Sequence, residues 1–369
     1  MKAPPEIRRV AIVGAGNGGC AAAVDLTRRG FEVRLWGRSA ATIAPLIAAG
    51  GIEHEGIFGE GKTRPAQITE DLPRALDGAD LVLIMGPTHA HEDIAQALAP
   101  HVRPHQLVMA APGHTLLLIP GTIGRLGGRF AAYCDTTTLP YICRKVSPSR
   151  VRVSRAAKAL MFAAFPGEIT PEAATRIRPV LPAIAPSPSL LHTVFLYMNA
   201  IHHPAALLLN IGRLESSGGD YCHYFDGITP SVGRLIDALD CERIAVASAF
   251  GVSIEKLPDY FFRIGYTTEE GRAGGAYGVF HHSEPNRWIK APATVDHRFF
   301  NEDVPFGLVP LSELGRLAGV KAELVDAVVA VASAATGRDF RRDGLTLERM
   351  GIAGLSPKQL DGLLASGKA

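Results

Sequence analysis

Apolar positions in the first half of this chain gather into short continuous runs that break into glycine or proline, with helically spaced stretches between them. Residues 9–13, Arg-Val-Ala-Ile-Val, form a β-branched run that enters a cluster of glycines. Residues 19–29 follow with Ala, Leu and Val at helical spacing and stop at Gly30, the position past a helix end that glycine favours. Further strands are predicted at 31–36, 81–85, 106–111 and 130–134, with a helix at 91–99. The run Leu-Val-Leu-Ile-Met at 81–85 has no polar alternation, as in a strand buried on both faces of a parallel sheet. The alternation predicts an N-terminal Rossmann-type doubly wound α/β domain. In such sheets ligands bind beyond the carboxyl ends of the strands. The polar and glycine turns at 14–19, 37–39, 86–88, 112–114 and 135–138 all fall there.

Three prolines within residues 182–188 read as a linker, and beyond it the apolar spacing becomes helical over 190–214, 231–251, 311–336 and 345–366. The expected division is a dinucleotide-binding domain at 1–185 and a mainly α-helical substrate and catalytic domain at 186–369. The length of 369 residues suits two domains, and 47% apolar with 20% charged residues is ordinary globular usage. Net charge is +2 with no concentrated basic block, which argues against nucleic acid as a partner. Five scattered cysteines (Cys20, Cys134, Cys143, Cys222, Cys241) include no C-x-x-C pair, so neither a disulfide framework nor a structural zinc site is indicated. The N-terminus lacks the apolar core of a signal peptide, and no window offers 18 uninterrupted apolar residues. These features predict a reduced, soluble, cytoplasmic protein without a membrane partner. Its helical half offers plausible surface for a homodimer.

Gly14-Ala-Gly16-Asn17-Gly-Gly19 satisfies G-x-G-x-x-G at a strand-to-helix junction, the context in which that pattern indicates a dinucleotide site. Gly14 permits the tight turn, Gly16 lets the backbone approach a pyrophosphate, and Gly19 lets helix and strand pack closely. The helix N-terminus then faces the negative charge. An NAD site usually carries an acid at the end of the second strand, where this chain has Trp36-Gly37-Arg38-Ser39. Arg38 can fork onto a 2′-phosphate and Ser39 can donate to it, which favours NADP(H), with NAD(H) as the alternative. Pro87 and Thr88, in the turn after the 81–85 run, join the cofactor-binding candidates.

Two segments of the second half carry candidate chemistry. One is Asn199-x-x-x-His203-Pro204, continuing as Asn210-x-Gly-Arg-x-Glu215; the other is Arg298-x-x-x-x-Asp303-Val-Pro. Together with the Gly-Ala-Gly-Asn-Gly-Gly opening, Thr-Leu-Pro-Tyr at 138–141 and Asp-Cys-Glu-Arg at 240–243, the chain resembles the opine dehydrogenases of octopine/nopaline type over roughly residues 8–340. The resemblance implies NAD(P)H-dependent reductive condensation of an amino acid or amine with an α-keto acid. It implies His203 as catalytic histidine, Asp303 as its carboxylate partner and Arg298 as the substrate arginine. It also associates the acid at Asp135 with the amino-acid substrate, with Thr138 and Tyr141 as secondary candidates.

Elementary chemistry is consistent with these roles. Histidine titrates nearest neutral pH and suits proton exchange with an amine or imine nitrogen. A buried aspartate on its far nitrogen fixes the tautomer and favours the imidazolium, and an arginine clamps a carboxylate through two parallel bonds. The His202-His203 doublet leaves the proton carrier open on spacing alone. No histidine group has a recognisable metal-ligand spacing, and hydride chemistry needs no metal, so none is expected. Two other readings compete. A ketopantoate or 2-hydroxyacid reductase commonly uses a lysine early in the second domain, yet residues 159–255 contain no lysine. A non-catalytic NADP-binding protein would need the glycines but not the His/Asp/Arg trio.

Overall fold

The computed structural model describes residues 6–368. Two compact units emerge from the contacts. The first runs to Thr193 and takes back the chain from Gly362 onward; the second comprises Val194–Asp361. The boundary therefore falls inside the helix Leu190–Phe195 rather than at 185/186, and the end of the final helix, Pro357–Ser366, belongs with the first unit.

The first unit is built on an eight-stranded sheet in the order 184–186, 160–165, 132–136, 107–110, 81–84, 9–13, 32–36, 67–69. All pairings are parallel except that between Leu160–Phe165 and Ala132–Thr136. The expected strands at 9–13, 31–36, 81–85, 106–111 and 130–134 lie in it within two residues. Leu81–Ile84 and Leu107–Ala110 are buried at every position, which is why their sequences show apolar runs instead of alternation. The fold is thus a Rossmann-type doubly wound sheet in the first unit, with a helical second unit.

Two features escape the sequence pattern. The proline-rich stretch contains an edge strand, Ile184–Pro186, whose flanks bond to the neighbouring strand through Leu160 N–H to the Ala183 carbonyl and Ser187 N–H to the Phe162 carbonyl. Proline is tolerated at a sheet edge because one side of the strand needs no donor. A second, four-stranded sheet (61–63, 52–56, 150–156, 141–145) packs beside the first helix, Asn17–Arg28. Its signal was the alternation Arg-Val-Arg-Val-Ser-Arg at 150–155, with Val151 and Val153 buried and Arg150 and Arg152 paired to Glu53 and Glu55.

The second unit is helical. Pro230–Ala249 is its longest element, and Asn199–Leu209, Val309–Leu317 and Glu323–Thr336 pack with it. The Asp-Cys-Glu-Arg segment ties these elements together. Arg243 is fully buried; it pairs with Asp240 at 2.7 Å and donates to the Phe195 and Glu255 carbonyls, while Asp240 accepts from the Leu257 N–H. Glu242 accepts from the N–H groups of Leu324 and Val325, capping the helix Glu323–Thr336. Among the described residues no single helix is long and apolar enough to cross a membrane.

Candidate active site

In the first unit the strand Arg9–Val13 passes through the glycine turn into the helix Asn17–Arg28. Gly14 has φ +119°, a conformation side-chain-bearing residues rarely adopt, and a Cβ on Gly19 would stand 1.7 Å from the Gly14 carbonyl oxygen. At Gly16 a Cβ would meet nothing within 4 Å. The helix N-cap there makes no side-chain hydrogen bond, and Asn17 turns its own side chain to accept from the Lys145 N–H. The turn is thus closed where helix meets strand and open where the helix amides point. That geometry fits a pyrophosphate.

Beyond the strand Glu32–Trp36, Arg38 is exposed, its guanidinium 3.4 Å from the Asp93 carboxylate, and Ser39 is an exposed N-cap that makes no side-chain cap bond. Pro87 is exposed and opens the short turn that begins at the buried Thr88.

Asp135 lies at the end of its strand, as expected, but fully buried. Its carboxyl presses on Gly113, where a Cβ would fall 2.0 Å from the aspartate side chain. Burial pushes its pKa well up, against a smaller lowering influence of Thr193. Tyr141 is buried too and donates its hydroxyl to Asp25 of the first helix at 2.7 Å, edge-on to Phe58; the structure gives it a packing role. Thr138 is exposed, and its carbonyl accepts from the Thr136 hydroxyl.

In the second unit His203 sits on the helix Asn199–Leu209 and Asp303 immediately before a π-turn, Val304–Leu308. Gly307 lets that turn approach: a Cβ there would lie 2.3 Å from the Ala200 side chain. The approach delivers the Asp303 carboxylate to the imidazole, with Oδ2 2.7 Å from Nδ1. The carboxylate is fully buried, and its other oxygen accepts a hydrogen bond from the Tyr197 hydroxyl. At the far side of the ring, Nε2 meets the Tyr224 hydroxyl at 2.7 Å. Phe299 stacks on the imidazole face with ring centres 3.8 Å apart.

His202, by contrast, packs its ring among Phe261, Phe280 and Tyr224, and neither nitrogen has a hydrogen-bond partner. The doublet left open by spacing is therefore divided, with His203 paired and His202 part of an aromatic core. Arg298 starts the turn Arg298–Asn301 and pairs through Nε with the buried Glu302 at 3.1 Å, while its side chain remains half exposed. Burial works against its charge, but Glu302, Tyr197 and Asp303 outweigh that effect and raise its pKa.

Burial sets the electrostatics. It pushes His203 well below its ordinary value, with His202, His223, Arg298 and His297 adding to the shift. It pushes Asp303 up to about 8, Glu302 adding while Arg298 and Tyr197 oppose. Each group alone disfavours its charged form, but the pair together with one shared proton is net neutral. The Asp303–His203 unit therefore titrates as a pair across the 2.7 Å contact. Loaded, it presents an N–H at Nε2; unloaded, it presents a bare acceptor there.

Sequence reasoning did not find Tyr197, Tyr224 or Phe299. Tyr197 and Asp303 are 106 residues apart, and His203 and Tyr224 are 21 apart on different segments, so no spacing rule links them. The aromatic cluster Tyr-Cys-His-Tyr-Phe at 221–225 was the available signal. Among the described residues no group of three or more His, Cys, Asp or Glu is placed to hold a metal ion.

Residues 186–336 match a family model described as NAD/NADP octopine/nopaline dehydrogenase, alpha-helical domain, and residues 9–113 match the N-terminal model of NAD-dependent glycerol-3-phosphate dehydrogenase. An opine dehydrogenase of Arthrobacter sp. (strain 1C) is 35% identical over 95% of this chain and 97% of its own. A structure of octopine dehydrogenase in complex with NADH and agmatine superposes with a TM-score of 0.78 at 20% identity, over 98% of both chains. A structure of yersinopine dehydrogenase with NADP+ bound superposes at 0.74 with 14% identity, over 98% of both chains.

Proposed function

The chain belongs to the opine dehydrogenase family, and on that premise we propose that His203, Asp303 and Arg298 carry the family's reaction here, with NADP(H) as the preferred cofactor. The protein is an NAD(P)-dependent oxidoreductase; it condenses an amino acid or amine with an α-keto acid reductively to an opine, an N-(carboxyalkyl) amino acid. When bound, the nicotinamide supplies the hydride that reduces the imine carbon.

The chain's own residues supply the rest. The open turn at Gly14, Gly16 and Gly19 holds the pyrophosphate. Arg38 and Ser39 take the adenosine 2′-phosphate, Arg38 exchanging Asp93 for the phosphate. Arg298, braced at Nε by Glu302, offers its outer nitrogens to the keto-acid carboxylate. Asp303 fixes the His203 ring so that Nε2 handles the proton consumed when the condensation expels water. The single observation that carries this reading is the buried Asp303–His203 pair, with the Tyr197 hydroxyl on the other carboxylate oxygen. All five cysteines are unpaired, in keeping with a cytoplasmic setting.

The test is NADPH oxidation measured with keto acid alone, with amine alone, and with both, repeated in the presence of NADH. Turnover that needs both substrates, prefers NADPH and shifts toward NADH in Arg38→Ala supports the reading. Turnover with keto acid alone would assign a simple reductase.

A further inference from the structure

The imidazole of His203 is enclosed on every side that matters for a proton. Nδ1 is taken by Asp303, Phe299 covers one ring face, and the His202 ring stands edge-on with centres 4.3 Å apart. Only 4% of the residue is exposed. Nε2 ends on the Tyr224 hydroxyl at 2.7 Å. The phenol is in turn fixed, its ring parallel to Phe280 at 5.3 Å and edge-on to His223 at 4.9 Å.

We propose that Tyr224 is the terminal member of the proton relay, so that its phenol oxygen, rather than the imidazole, exchanges the proton with the reacting substrate. This rests on the reading of His203 as proton carrier. The Nε2 contact serves both directions. With the pair loaded, Nε2–H donates to the phenol oxygen; with the pair unloaded, the phenol O–H donates to Nε2. In the condensing direction the phenol O–H proton passes to the departing hydroxyl of the carbinolamine formed by amine and keto acid. The carbon–oxygen bond breaks, its electron pair leaves with oxygen as water, and Nε2–H refills the phenol. Tyr224 ends as it began, and the Asp303–His203 pair is one proton poorer. In the oxidative direction each transfer reverses.

Tyr224 suits a relay better than a reservoir. Burial raises its pKa and Asp303 adds to that, with Arg298 opposing and Tyr266 adding, so a lone phenolate does not accumulate. The titratable rings facing it are His203 and His202 from the helix Asn199–Leu209 and His223 beside it in sequence. Neither ring nitrogen of His202 or His223 has a hydrogen-bond partner, whereas His203 Nε2 meets the phenol at 2.7 Å, which makes His203 the partner placed to exchange a proton.

The test is Tyr224→Phe in the full-length protein with NADPH, keto acid and amine. The expected result is a kcat lower by on the order of 10²-fold, with nucleotide affinity by fluorescence titration retained. The same protein carrying 3,5-difluorotyrosine at position 224, whose phenol is more acidic, should regain turnover and move the basic limb of the kcat profile to lower pH. A phenol that only props the ring leaves that limb in place, and this result, or wild-type kcat in Tyr224→Phe, overturns the relay. If Tyr224→Phe loses nucleotide binding through misfolding, the fluorotyrosine protein decides alone. His203→Asn separates the layers: inactive His203→Asn beside fully active Tyr224→Phe removes the relay only, whereas active His203→Asn removes the reading beneath it.

Discussion

Replacing Asp303 by asparagine isolates the pairing on which the proposed chemistry depends. The substitution keeps the shape and an oxygen for the Tyr197 hydroxyl but removes the charge that faces His203 Nδ1 at 2.7 Å. With charge centres about 4 Å apart and an effective dielectric constant of about 20, the lost attraction is about 4 kcal/mol for the imidazolium. At about 1.4 kcal/mol per decade, that is roughly a thousandfold loss of the protonated ring. Burial already pushes His203 down, so the loss is not recovered at neutral pH. Asp303→Asn should therefore lower kcat by about 10³-fold while the nucleotide's Kd, which the proposed site at the glycine turn would set, stays near wild type. The assay is steady-state NADPH oxidation with both substrates across pH, beside a fluorescence titration of nucleotide. A variant within about tenfold of wild-type kcat would refute the electrostatic argument, because no other carboxylate bonds that nitrogen.

Two further outcomes follow from the same geometry. Arg298→Ala removes charge-assisted bonds worth about 1.5–3 kcal/mol each, so the KM for the keto acid should rise on the order of 10²-fold; an effect confined to the amine's KM would assign the clamp to the other substrate. Burial depresses His202 to about 3, so its neutral form contributes stability above about pH 6.5 that is lost as pH falls toward 3. In urea unfolding, each such histidine adds a slope of about 1.4 kcal/mol per pH unit in that window, and His202→Phe should make the acid-side loss shallower by that amount. An unchanged slope would mean that the ring is not held neutral.

Legibility from sequence followed the range of the forces involved. The parallel strands at 81–84 and 107–110 were readable because burial on both faces removes every polar position locally. The glycine turn was readable because Gly14 takes a positive φ within the turn and Gly19 packs on Gly14 and Ile12, its near neighbours in sequence. The edge strand at 184–186 was hidden because its prolines signal a linker until a partner strand supplies the bonds. Asp135 was placed correctly at a strand end, yet its burial against Gly113 depends on how the neighbouring strand's turn folds over it.

The sequence by itself determined the nucleotide-binding half and the helical character of the second, and put a histidine doublet, an aspartate and an arginine forward as candidates. Each of those is written in local spacing or in motifs. Only the tertiary structure decided which of two adjacent histidines meets the carboxylate, and which phenols stand at either end of that pair. Those contacts join residues 21 to 106 positions apart. They exist because Gly307 lets a turn settle against a helix, a packing event that no short stretch of sequence encodes.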